Sequence, residues 1–329
     1  MTWLTWRQFR VPAISVYTGL AAIAVVLAIT GPDLVGRGEF ADQDLMFGGT
    51  ILVLYLLPAI IGVFWGVPMV TRELETGTHN LVWNQSITRK RWLATKLGVG
   101  VAATVVAAAL LSTAVTWWAA PIDAHVSADP KSFALTRMEP VVFAARGIVP
   151  VGYAAFAFVL GVAVGILLRR TVAAMAVTLT VFAAVLVAVP FLVRPYVIPP
   201  VEDTVTITDS NIGQIRGNES GVIESITVAQ PAGAWVLANE TVDASGTAVF
   251  PLPDAVQHCL PPFGGNDGPP DRMSVTECVA QLSGLGYSQR VTYQPGSRFW
   301  ALQWIELGLF LALSGLLTWF CFRRIRHLS

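Results

Sequence analysis

Residues 148–193 read IVPVGYAAFAFVLGVAVGILLRRTVAAMAVTLTVFAAVLVAVPFLV. Two apolar runs lie in this stretch, and its only charges are Arg169 and Arg170 between them. Each run is as long as the roughly 20 residues a helix needs to cross a membrane. Neither alternates apolar and polar residues at the helical period, as a helix packed on a water-soluble core would. The stretch therefore predicts two spanning helices joined by a tight turn.

Four further runs have the same character. The six expected spans are Val11–Ile29, Phe47–Val70, Leu97–Trp118, Ile148–Leu168, Val172–Val193 and Phe299–Phe322. Composition agrees: 54% of the 329 residues are hydrophobic and 13% charged, where a soluble domain carries about 25% charged residues. Mean hydropathy is +0.61. Arg7 and Arg10 before the first run could open a signal peptide. The run is longer than a usual signal core, and no A-x-A site precedes Gly31-Pro32-Asp33, so a retained span is expected.

The basic residues set the orientation. Arg7 and Arg10, then Arg72, Arg89, Lys90, Arg91 and Lys96, then Arg169-Arg170, then Arg323, Arg324 and Arg326 all fall on one side of a six-span chain. That side is expected to be the cytoplasm, with both termini inside and the protein multi-pass in the plasma membrane. Residues 201–298 hold eleven acidic and four basic residues, a net charge of −7, which leaves +7 on the rest. No basic domain of the kind that binds nucleic acid is present.

The expected fold is an all-α polytopic membrane protein: six transmembrane helices, with a mixed α+β extracytoplasmic domain between the fifth and sixth. Its parts are 1–10, an interfacial helix; 11–193, five spans with a cytoplasmic loop at 71–92; 194–298, the external domain; and 299–329, the last span and a basic tail. In the external domain Thr204–Thr208, Ser225–Val228, Ala234–Leu237 and Arg290–Tyr293 read as strands. Ser274-Val275-Thr276-Glu277 has the spacing of a capping box and starts a helix that ends at Gly284 or Gly286. Cys259 and Cys278, in an oxidising compartment, are expected to bridge, worth roughly 3 kcal/mol for a loop of about 20 residues. Two free thiols are the alternative. Cys321 reads as a small apolar filler.

The chain carries no G-x-x-x-x-G-K-[ST], H-E-x-x-H, C-x-x-C or G-x-S-x-G sequence, so no catalytic residue, metal site or nucleotide site is proposed. Uphill transport would then draw on another subunit or an ion gradient. Glu306 is the one acidic group read inside a span. It could line a translocation path and meet a cationic substrate; the plainer expectation is a solvated carboxylate, or one bonded to Gln303 or a neighbouring helix. Ala157, Gly161 and Gly165 form a small-residue ridge, as do Gly62 and Gly66, and internal packing is the favoured use. Pro58, Pro68 and Pro190 are candidate kinks.

Between the second and third spans lies a dense charged and aromatic loop. Arg72, Glu73, Glu75, Thr78, His79, Trp83, Gln85 and Arg89 give it a Trp anchor ringed by charge, which suits a cleft on a soluble partner. An inside-positive loop that fixes topology is the alternative. Gly77 is a suitable helix stop and Thr88 a plausible N-cap. At the N-terminus Trp3, Trp6 and Phe9 recur at helical spacing opposite Arg7 and Arg10. This fits an interfacial helix or, equally, an aromatic-belt anchor on span one.

The loop residues 72–78 and 83–92 resemble the corresponding loop of ABC-2-type ABC transporter permeases, especially actinobacterial ones. So do 5–10, 147–154, 169–176, and 293–295 with 298–300; the resemblance is weakest over 201–286. It implies an elbow helix at Thr2–Arg10 and a coupling helix within Thr76–Ser86, with Glu73, Glu75 and Arg89 flanking an ATPase cleft. It also implies a homodimer in membrane lipid with two separately encoded ABC ATPase subunits. ATP and Mg would be bound by those subunits and no cofactor by this chain. The function expected is export of an amphipathic or apolar drug, peptide or lipid. A membrane-anchored sensor and a proton-coupled carrier using Glu306 are the rival readings.

Overall fold

The computed structural model describes residues 2–35, 44–78, 88–128, 136–217, 223–252 and 275–327, with the backbone alone at 2–9, 127–128, 217, 223, 275–278 and 327. The chain forms two compact units. The first comprises Met1–His125, Pro140–Val197 and Phe299–Ser329; the second comprises Val126–Glu139 and Ile198–Arg298. The sequence reading had confined the inserted domain to 194–298; the second unit also takes a stretch from between spans three and four.

Among the described residues, six helices are long and apolar enough to cross a membrane: Arg10–Leu34, Asp44–Glu75, Arg89–Val126, Val149–Leu168, Thr171–Val197 and Gly296–Arg324. Helix α1 (Thr2–Thr30) is continuous, so the expected interfacial segment 2–10 and span one form one helix. The second span is α2 (Asp44–Ile61), a π-turn (Gly62–Gly66) and α3 (Pro68–Glu75). Next come α4 (Arg89–Ala128) and the short α5 (Pro140–Phe143). The fourth span is α6 (Val149–Leu168) and the fifth α7 (Thr171–Ala188). The fifth continues as a second π-turn (Val189–Val193) and α8 (Arg194–Val197).

Both π-turns have one cause. Pro68 and Pro195 lack an N–H and crowd the carbonyl four residues back. The chain widens one turn ahead of each proline instead. Val67 N–H reaches Gly62 O at 3.1 Å, and Arg194 N–H reaches Val189 O. Each widened turn adds a residue and so rotates everything after it by about 100°. Of the prolines read as kinks, Pro68 follows one π-turn and Pro190 lies in the other, whereas Pro58 sits inside α2.

Helix α6 is the buried axis of this unit, packed against α2, α3, α7 and the last span. Its small residues permit this. A Cβ added at Gly62 would lie 2.8 Å from Ala157 O, one at Gly66 would strike Phe158 O, and one at Gly161 would strike Gly62 O. The two small-residue ridges thus pack on each other, backbone to backbone. Helices α1 and α4 are joined by Tyr17 Oη donating to Ala103 O (2.7 Å) and Trp118 Nε1 to Thr30 Oγ1 (3.0 Å).

The second unit holds β1 (Val201–Val205), β2 (Ile212–Gly217), β3 (Ile223–Val228), β4 (Trp235–Val242), α9 (Val275–Gly284) and β5 (Ser288–Gln294). β5 is the middle of an antiparallel sheet ordered β1-β5-β4, and β2 and β3 form a hairpin. Ile207, Val228, Val279 and Val291 make one core cluster; Ile226, Leu252 and Leu282 make another. The first strand ends three residues before the expected Thr208, because Asn211 pulls the chain into a turn. Its Oδ1 accepts Thr208 N–H (2.7 Å) and its Nδ2 donates to Thr206 O (2.9 Å). Helix α9 ends at Gly284, as read. Cys259 lies outside the described residues, as does the Cys278 side chain, so the expected bridge does too. The last span is α10 (Phe299–Arg324), with Cys321 buried as expected.

Candidate functional site: a braced loop base and a buried ion pair

The charged loop begins where α3 stops. Thr76 still donates its N–H to Arg72 O (3.3 Å) and its hydroxyl to the same atom (2.8 Å). Gly77 then takes φ 70°, a left-handed conformation that glycine reaches without strain. Across the loop, Thr88 Oγ1 accepts Arg91 N–H (3.3 Å) and caps α4. Both loop ends therefore match the sequence reading. His79, Trp83 and Gln85 lie outside the described residues.

Both loop acids are engaged by neighbouring helices, Glu73 half-buried and Glu75 exposed. Glu73 Oε1 accepts Lys96 Nζ at 2.6 Å, and its Oε2 accepts Trp92 Nε1 at 3.0 Å. The ammonium also donates to Met69 O (2.7 Å) and sits 4.7 Å from the Trp92 ring centre. This cluster bolts α3 to α4. Glu75 accepts the Thr171 N–H at 2.6 Å on one oxygen and the Thr171 hydroxyl at 2.7 Å on the other. It thus caps the N-terminus of α7 from a different helix, a favourable place for negative charge. Thr71 Oγ1 lies 2.7 Å from the same hydroxyl. Arg89 Nη1 reaches Arg326 O at 3.5 Å, beside the end of the last span. Arg72 and Thr78 sit on the loop's descending end. Arg10 is exposed on α1, while the side chains of Trp3, Trp6, Arg7 and Phe9 lie outside the described residues.

At the far end of the same unit, Glu306 is neither solvated nor bonded to Gln303 but bonded to neighbouring helices, the remaining form of the plainer expectation. Its carboxylate accepts Arg194 Nε (2.8 Å), Arg194 Nη2 (3.0 Å) and the Tyr153 hydroxyl. The ion pair is 1% and 5% exposed at its two side chains. Arg194 also donates to Pro140 O (3.1 Å) and stacks its guanidinium 4.2 Å from the centre of Phe143. One network thus joins α5, α6, α8 and α10. Gln303 caps α6 instead: its Oε1 accepts the N–H groups of Ile148 (2.9 Å) and Val149 (3.0 Å), and its Nε2 donates to Phe143 O (3.1 Å).

Sequence reading missed Arg194. It ends an apolar run, and only the preceding π-turn rotates it inward. A pocket of about 20 Å³, no more than water-sized, lies beside the pair, walled by aliphatic side chains such as Val193, Val197, Leu302 and Leu309. Because the two charges cancel and nearly all their hydrogen-bonding capacity is used, the pocket offers no net charge to a ligand. Arg146 is the second missed group. It is 1% exposed and 3.9 Å from Asp123, donates to Val115 O at 3.4 Å, and stacks over Phe47.

Comparison with known proteins bears on this arrangement. Residues 36–194, which include the loop, its two braces and Arg194, match the family described as ABC-2 membrane transporter related. No curated protein and no solved structure matches the chain.

Proposed function

We propose, from the match of residues 36–194 to the family described as ABC-2 membrane transporter related, that this chain is the membrane-spanning subunit of an ATP-driven exporter. The observation that carries the reading is the loop base. A loop that merely joined two spans would need no support, yet its two ends are tied to each other by Glu73–Lys96 and its first end is fastened to the fifth span by Glu75. A rigidly held loop end can pass a displacement into the bundle, whereas a loose one dissipates it.

Two copies of the chain and two ATPase subunits make the working assembly. The partner subunits hold ATP and Mg and dock on residues 76–88, with Trp83 as the anchor. Both termini lie in the cytoplasm and the second unit lies outside. The cargo is amphipathic or apolar. Glu73 and Glu75 hold the loop in place, and Trp83, Gln85 and His79 meet the partner.

The test is a mild-detergent pull-down of the tagged chain, followed by an ATPase assay on what co-purifies. A stoichiometric nucleotide-binding subunit, lost on W83A/R89A, is the expected result. A chain that purifies alone, with no ATPase activity, would refute the exporter reading and favour a sensor or a carrier.

A further inference from the structure

Resting on the exporter-subunit reading, we infer that Asp123 and Arg146 form a latch, open in this structure, that closes between the end of span three and the turn before α6 during the transport cycle. The first observation is an unfilled guanidinium edge. Arg146 is 1% exposed, yet among the described residues its Nε and Nη2 have no hydrogen-bond partner. These two nitrogens form the edge that grips a carboxylate in two parallel bonds. Arg194 shows the filled case in the same bundle, where Nε and Nη2 meet Glu306 at 2.8 and 3.0 Å. Arg146 Nε instead lies 3.9 Å from Asp123 Oδ2, an ion-pair distance too long for a hydrogen bond. A charge sealed from water without its bonds is costly, which favours any rearrangement that fills the edge.

The second observation is a gap that widens along α4. Ser112 Oγ donates to Gly147 O at 2.6 Å. Further along, Val115 O accepts Arg146 Nη1 at 3.4 Å and Thr116 Oγ1 accepts Gly147 N–H at 3.3 Å. At Asp123 the separation has reached 3.9 Å. Helix and turn are pinned at Ser112 and part toward the helix's end. The third observation is Pro121, inside α4 and two residues before Asp123. It has no N–H to give the carbonyl of Trp117 and crowds that group, so α4 bends most easily there. The last turns, which carry Asp123, can swing toward Arg146 while Ser112 stays bonded. Asp123 has a further interaction of its own, so closing exchanges one partner for another, as a reversible latch requires. A static brace would stand closed, as Arg194–Glu306 does.

The experiment reconstitutes the full chain in nanodiscs with the ATPase subunit recovered in the pull-down, and reads melting temperature and ATPase turnover together. D123E adds one methylene and fills the edge without the swing, which removes the drive to move. It is expected to melt higher than wild type and to lower turnover about fivefold or more. P121A keeps both charges and restores the helical ladder, so it too is expected to melt higher and turn over more slowly. D123N cannot close the latch, so turnover falls again, but here the melting temperature falls with it. Wild-type turnover in D123E and P121A, with melting raised, would make the pair a plain brace and overturn the latch while leaving the exporter reading intact. A D123E chain that melts no higher than wild type would put the edge out of reach and overturn it as well. A wild-type melting temperature raised by inorganic phosphate, with no such rise in D123E, would give the edge to an external oxyanion, with the same result. A chain that recovers no ATPase subunit would defeat the exporter reading and the latch's place in a transport cycle with it.

Discussion

Removing one partner of the Arg194–Glu306 pair should damage the fold far more than removing both. Glu306 receives three hydrogen bonds, two from Arg194 and one from Tyr153, with both charges sealed from solvent. In E306L the guanidinium keeps its contacts with Pro140 and Phe143 but has no counter-ion. An orphaned buried charge costs about 3–5 kcal/mol. E306Q keeps the shape and one acceptor oxygen, so the loss falls to that of a hydrogen bond to a charged group, about 1.5–3 kcal/mol. R194M leaves a carboxylate that can take up a proton, and its cost lies between these. The double variant R194M/E306L replaces the pair with apolar volume and leaves only the Tyr153 hydroxyl unsatisfied, a penalty of about 1–3 kcal/mol that Y153F removes. The coupling energy from the cycle is therefore about 2 kcal/mol or more, in the upper part of the range for residues in contact. Reversible denaturant titration of the detergent-solubilised chain measures it. Additive single-variant effects would refute the reasoning, as would an E306Q protein of wild-type stability. Because the charges serve the fold, the triple variant is also expected to transport like wild type. A proton-coupled carrier would lose transport in E306Q with its stability intact.

Other positions give independent checks. G161A forces a methyl into the carbonyl of Gly62, and overpacking of about 1–3 kcal/mol outweighs the gain of about 1 kcal/mol in helix propensity. G98A, whose added Cβ meets nothing within 4 Å, should instead raise the melting temperature; equal shifts for the two would refute the ridge-on-ridge packing. Q303A strips the cap from α6 and orphans one buried and one half-buried N–H group, costing about 1–3 kcal/mol, with faster amide exchange expected at 148–149 and not at the far end of that helix. In the second unit, hydrogen bonds from Ser245 and Thr247 hold the Asp243 carboxyl below its ordinary value. A depressed carboxyl stabilises the fold above its unfolded value, about 3.9, and that contribution disappears as pH falls through the lower folded value. Amide-exchange protection over 243–247 should therefore weaken across the acid range in wild type and be weaker and pH-independent in D243N.

Apolar run length was enough to locate every span, because the membrane demands it and little else does. Where the spans end was less legible. The third was expected at Leu97–Trp118 and runs Arg89–Ala128. Apolarity stops at charges such as Lys96 and Asp123, but backbone hydrogen bonds do not. Thr88 and Gly77 were legible since capping is local chemistry. Arg194 was not, since a π-turn breaks the period by which a residue's face is judged. Strand β2 escaped because Ile-Gly-Gln-Ile-Arg-Gly has too little alternation to read as one. The roles of Glu73 and Glu75 could not be seen at all: a carboxylate in a charged loop looks the same whether it faces a partner or a lysine 23 residues away.

These contacts also decide which parts of the bundle can move together. Spans two and four touch backbone to backbone through Gly62, Gly66 and Gly161, so they cannot slide without parting. Glu73–Lys96 attaches span three to this pair, and Glu75–Thr171 attaches span five. The sixth span joins it at the other end through Glu306 and Gln303. A push on the loop would therefore enter a block of five spans at one end and meet an ion pair at the other. Within that block the helical ladder is interrupted at Gly62–Gly66 and Val189–Val193, each one turn from a proline that cannot hydrogen-bond. Bending is cheapest where the ladder is already broken. If the loop drives transport, those two turns are where the spans should flex, and Arg194, which closes the second of them, ties that flexing point to the sixth span.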